Sequence, residues 1–158
     1  MAARRIVVLL GVSLAAVFSV PYLHGFVSSD ELILLQDADG WEYTKIVTAT
    51  GFPTEHPCFD GTPHPQECRG TLTLGSDERF VKKIYIKGQS DTRSGRYKID
   101  GNDLTFFDEY ETQDGPYKMT LDSREKTLVL ELGSERMDLM LEKEYRSRIK
   151  KKDSQPKQ

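Results

Sequence analysis

From Gly70 to Leu141 the chain repeats one pattern, a short run of alternating apolar and polar residues closed by a turn signal. Alternation with period two places every second side chain on one face, so each run reads as a half-buried strand. Gly70–Leu74, Arg79–Lys87, Gly95–Ile99, Leu104–Asp108, Tyr117–Leu121, Leu128–Leu132 and Met137–Leu141 all fit. In the second of these Phe80, Ile84 and Ile86 share a face, with Lys83 and Lys87 opposite. Turns are marked at Gly75-Ser76-Asp77, Asp100-Gly101-Asn102-Asp103 and Gly133-Ser134; the second is a hairpin signal, because Gly and Asn accept positive φ. Gly88–Ser94 reads as a polar loop, and Asp114-Gly115-Pro116 as part of an acidic connection. One more strand precedes the series, Trp41–Ala49, with Trp41, Tyr43 and Val47 on one face and a break in the alternation at Lys45-Ile46.

Eight strands with one apolar face each, and no helical period between them, must pair antiparallel. The arrangement that removes both sheet edges is an all-β, eight-stranded, up-and-down barrel. A two-sheet sandwich is the alternative.

Ahead of the strands, Arg4 and Arg5 precede an uncharged run from Ile6 to Val20, and Pro21 breaks it. A basic flank and an apolar helical core match a secretory signal. The run falls short of the roughly 20 residues that span a bilayer, and extension through Tyr22, Leu23 and Phe26 meets Pro21 and His24. Two outcomes stay open for residues 1–25, a cleaved signal peptide or an uncleaved anchor acting through residues 6–20. Either way the protein is exported, to the periplasm or beyond. Residues 26–39 form a linker with a capped short helix, Ser28-Ser29-Asp30-Glu31 before Leu32–Leu35. The barrel occupies 40–148 and a basic disordered tail 149–158.

Export gives the cysteine pair meaning. Cys58 and Cys68 are the only two in the chain, and an oxidising compartment favours a disulfide between them. Closing that loop contributes about 2–3 kcal/mol. They lie in a long connection, 51–69, that also holds Pro53, Pro57, Pro63, Pro65, His56, His64, Phe52 and Phe59. The histidines and cysteines can be read as metal ligands; the reading preferred here is a disulfide with two solvated histidines, no metal and no cofactor. Between Phe26 and Glu142 there are 13 Lys/Arg and 23 Asp/Glu, a net charge of −10, whereas Lys143–Gln158 carries +5. So acidic a body argues against nucleic acid as partner.

Gly40-Trp41, the long first connection, Gly70-Thr-Leu-Thr-Leu74 and the run Gly95-Arg-Tyr-Lys-Ile-Asp-Gly-Asn-Asp-Leu104 resemble bacterial lipocalin-like domains, over roughly Asp39–Arg148. The resemblance implies that an arginine after the last strand, Arg146 or less readily Arg148, packs on Trp41 and closes the narrow end, a cation–π contact worth about 0.5–2 kcal/mol. It also implies that residues 51–69 form a lid, with Phe52 and Phe59 over the mouth, and that the barrel holds a small apolar molecule.

The expected ligand-lining residues are the inward apolar ones: Trp41, Tyr43, Phe80, Ile84, Tyr97, Phe106, Tyr117, Met119, Met137 and Leu139. An eight-stranded barrel is just wide enough to be filled by its side chains or to hold one small ligand. Two classes of function follow. One is non-covalent binding of a small apolar or amphipathic molecule; the other is a filled-core interaction or structural module of the cell envelope. No nucleophile elbow, phosphate loop or HExxH motif is present, so the reading is not an enzyme. Oligomeric state is not legible.

Overall fold

The computed structural model of the protein describes residues 27–49 and 55–154. The apolar segment expected to target or anchor the chain, and Phe52 of the expected lid, lie outside the described residues. Helix α1 (Ser29–Leu35) begins with the capping box its sequence promises: Glu31 N–H donates to Ser28 Oγ at 3.2 Å, and Ser28 N–H donates to the Glu31 carboxylate at 2.8 Å. Two backbone donors at the helix start are thereby satisfied.

The strands are β1 (Trp41–Val47), β2 (Glu55–Pro57), β3 (Cys68–Leu74), β4 (Arg79–Ile86), β5 (Gln89–Asp100), β6 (Asp103–Asp108), β7 (Gln113–Asp122), β8 (Thr127–Leu132) and β9 (Glu135–Leu141). From β3 to β9 each is antiparallel to the next, β3 pairs with β1, and β9 returns to β1. That is the closed, eight-stranded antiparallel barrel expected from the alternation, with β2 as an addition.

Strand β2 fills a gap. One edge of β1 bonds to β3 only at Trp41 and Glu42, and farther along the same edge bonds to β2 at Lys45–Val47. Where β3 departs, the Cys58–Cys68 disulfide ties the residue after β2 to the first residue of β3. Both sulfurs are buried in the core.

The sequence break at Lys45-Ile46 is a bulge against β9, between Tyr43 and Lys45. It resets the alternation so that Ile46, not Lys45, points inward. A second correction concerns β5. The stretch 88–94, expected as a loop, is mostly the first half of a 12-residue strand. Its alternation was invisible because its inward residues at that end are polar. β5 pairs with β4 through Arg96 and with β6 from Gly95 onward, so its two ladders overlap at Gly95 and Arg96. A Cβ on Gly95 would lie 2.0 Å from the Phe107 carbonyl oxygen, which leaves glycine as the residue that fits.

After Leu141 the chain turns helical, as α2 (Glu142–Asp153). The barrel strands therefore end at Leu141, and residues 149–153, expected in a disordered tail, belong to α2. Glu142–Arg146 and Glu144–Arg148 pairs at i,i+4, acids in the first turn and Lys150–Lys152 in the last supply local reasons for the helix. Among the described residues no helix is long and apolar enough to cross a membrane.

The closed end of the barrel carries the β3–β4, β5–β6 and β7–β8 turns together with α1. Leu35 is fully buried there, and Trp41 Nε1 donates to its carbonyl at 3.0 Å. Tyr97 Oη donates to the Gly75 carbonyl at 2.8 Å and accepts from Gln36 Nε2 at 2.6 Å. Closure therefore comes from the helix before the barrel. Arg146, expected to pack on Trp41, has a side chain 71% exposed and pairs with Glu142 instead. A guanidinium has no reason to enter a site already sealed by leucine.

Candidate functional site

Strand tilt carries the inward side chains into two unlike halves. Toward the closed end Trp41, Leu72, Leu74, Leu104, Leu128 and Leu130 are fully buried and fill the lumen. Across the middle, Phe106 contacts Phe80 (ring centroids 4.8 Å apart) and Tyr117 (6.0 Å). Beyond this aromatic layer a cavity of about 450 Å³ opens toward the β4–β5 and β8–β9 turns. Its walls include Ile46, Ile84, Ile86 and Met137.

The floor is ionic. Lys82 lies on the same face of β4 as Phe80 and Ile84 and is only 6% exposed. Its Nζ donates to Asp114 Oδ2 at 2.5 Å and stands 5.3 Å from the centre of the Phe106 ring. The other carboxylate oxygen, Oδ1, accepts from Tyr117 Oη at 2.5 Å. Asp114 and Tyr117 are three apart in sequence, yet both point inward. A register shift between β6 and β7 at Leu104/Phe106 inserts the extra residue that permits this. Burial pulls the Asp114 carboxyl upward, but the bonds from Lys82 and Tyr117 and the Lys82 charge outweigh it and hold it below the ordinary aspartate range. Burial, and then the bond to Asp114, raise the Tyr117 phenol well above its usual value. The phenol stays protonated and keeps its donor.

Tyr43 belongs to the buried core. It stands on the inner face of β1 between Trp41 and Ile46, is 1% exposed, and its hydroxyl has no hydrogen-bond partner among the described residues. Burial, then the fields of Tyr117, Asp114 and Asp91, push its pKa well above the ordinary phenol value, so it stays protonated. At the rim Arg93 Nε donates to Asp91 at 2.9 Å, and Glu135 lies at the lip.

Of the ten residues expected to line a ligand chamber, Ile84, Tyr117 and Met137 do line this cavity. Trp41, Tyr43, Phe80, Phe106, Met119 and Leu139 belong to the filled core, and Tyr97 to the seal at the closed end. Phe59, expected over the mouth, packs on Tyr145 of α2 with centroids 4.6 Å apart. The described part of the 51–69 connection thus closes the β1–β3 gap, where a lid was expected. His64 Nε2 lies 3.0 Å from Asp60. His56 is not solvated as expected: it pairs with Ile46 across β1–β2 and is buried. Among the described residues no group of three or more potential ligands is placed to hold a metal ion.

The sequence reading passed over Lys82 and Asp114. Lys82 was recoverable, since it falls at the period-two position between Phe80 and Ile84. Asp114 was hidden by the bulge beside it.

Fold and site together define a closed antiparallel barrel with one open chamber floored by a buried ion pair. Set against family models, curated proteins and solved structures, the chain matches none of them.

Proposed function

We propose that this is an exported, lipocalin-like binding protein that takes one small amphipathic molecule, non-covalently, into the open end of its barrel. The observation that carries the reading is the cavity of about 450 Å³, which sets Ile46, Val47, Ile84, Ile86 and Met137 between a polar floor and a polar rim. Ligand sites are typically concave and largely apolar, with a few placed polar groups and volumes from about 300 Å³ upward. Export rests on Arg4, Arg5 and the apolar run 6–20, and the Cys58–Cys68 disulfide accords with an oxidising compartment.

An environment-sensitive apolar dye added to the purified protein tests it. Saturable fluorescence enhancement at one site per chain, reversed by a competing amphiphile, is expected. A second reading, an interaction module without ligand, draws on the solid packing of the closed half. Absence of any saturable dye signal, with no small molecule co-purifying by mass spectrometry, would favour that module and sink the binding reading.

A further inference from the structure

We propose that the ligand enters polar end first, and that this end is an uncharged hydrogen-bonding group, a hydroxyl or amide, rather than an anion or a cation. The inference rests on the binding reading above and specifies its ligand class. The charges of the chamber are already matched in pairs: Lys82 with Asp114 on the floor, Arg93 with Asp91 at the rim. Glu135 is the remaining lining charge, and it sits at the lip.

A ligand carboxylate at the floor would face Asp114, and a ligand ammonium would face Lys82. Either could bind there only by taking a partner from a buried pair, which leaves the other member uncompensated. A hydrocarbon end would strip water from the same two charges and return nothing. A neutral hydroxyl escapes both penalties. It can accept from Lys82, whose ammonium has three donors and spends one on Asp114. It can also donate to the Tyr117 hydroxyl oxygen, which lines the same floor and gives its own proton to Asp114. Meanwhile Ile46, Ile84, Ile86 and Met137 enclose the apolar body. This geometry sets the orientation: head inward, tail toward the rim.

The experiment uses the full chain and three probes with one saturated eight-carbon tail, 1-octanol, octanoate and octylammonium, titrated calorimetrically at pH 7. Octanol is expected to bind at least about tenfold tighter than either ion, since one forfeited charge pairing exceeds 1.4 kcal/mol. Tyr117→Phe is expected to weaken octanol about three- to tenfold, the equivalent of one hydrogen bond. Its melting temperature should fall only modestly, because Asp114 keeps the Lys82 donor, so the titration is made on folded protein. Octanoate or octylammonium binding as tightly as octanol would overturn the inference, as would unchanged octanol affinity in Tyr117→Phe. If the apolar dye binds while the three probes are equal, the inference alone fails. If neither dye nor probe binds, the binding reading fails with it.

Discussion

Lys82 is the residue whose environment most departs from its type. Inside the barrel its ammonium is met by Asp114 at 2.5 Å and by the Phe106 ring, whose centre lies 5.3 Å away. Removing one partner leaves a buried charge unpaired, which costs about 3–5 kcal/mol when burial is complete. Asp114 keeps 24% of its side chain in contact with solvent. Asp114→Asn is therefore expected to destabilise by about 2–4 kcal/mol at pH 7 by chemical denaturation. Replacing both, as Lys82→Met with Asp114→Leu, should recover most of that loss; a double variant no better than the single would contradict the pairing. The pH dependence has a definite sign. The folded carboxyl titrates below the unfolded value of about 3.9, so its stabilisation is full above that pH and fades as pH falls through the folded value. The gap in melting temperature between wild type and Asp114→Asn should narrow from pH 7 to pH 3, and a constant gap would show that the carboxylate is not engaged. At this scale the sequence was least legible. Period two placed Tyr43, Phe106 and Tyr117 inward correctly, but it carries no mark for a charge that is stabilised by a distant partner. Asp114 is 32 residues from Lys82, and only the β6–β7 bulge brings its side chain round.

Among the elements, β2 and the disulfide replace the ladder that β1 and β3 fail to complete. Opening the disulfide by a Cys58→Ala/Cys68→Ala variant is expected to cost about 2–3 kcal/mol. The loss should also be local. Amide exchange should quicken at Lys45–Val47 and at the start of β3, while β6–β8 keep their protection. Uniform quickening around the barrel would mean the bridge is not a seam. Helix α1 acts at the opposite end as a plug. Leu35→Ala removes a fully buried side chain and is expected to destabilise by about 2–5 kcal/mol; a change under about 1 kcal/mol would mean α1 is merely draped over the end. The elements that the sequence made plain were those with one greasy face. Strands β4, β6 and β8 and the turn at Asp100–Asp103 needed nothing but alternation and glycine. The first half of β5 was missed because Asp91 and Arg93 face a polar chamber, and α2 because its short i,i+4 ion pairs resemble a solvated tail.

For the molecule as a whole, alternation along the chain was sufficient for a closed barrel, since a sheet of this kind has no other way to bury its edges and one face together. It could not divide the lumen. Whether side chains fill a barrel depends on register, tilt and two bulges, none of which the pattern of apolar residues encodes. The result is a barrel solid below Phe106 and open above it. Binding in that open half is the central claim, and methyl NMR during titration with octanol tests it most directly. Saturable shifts are expected at Ile46, Ile84, Ile86 and Met137, with the methyls of Leu104 and Leu128 unmoved. Shifts that fail to saturate, or that fall on exposed Ile33 and leave those four methyls still, would contradict it.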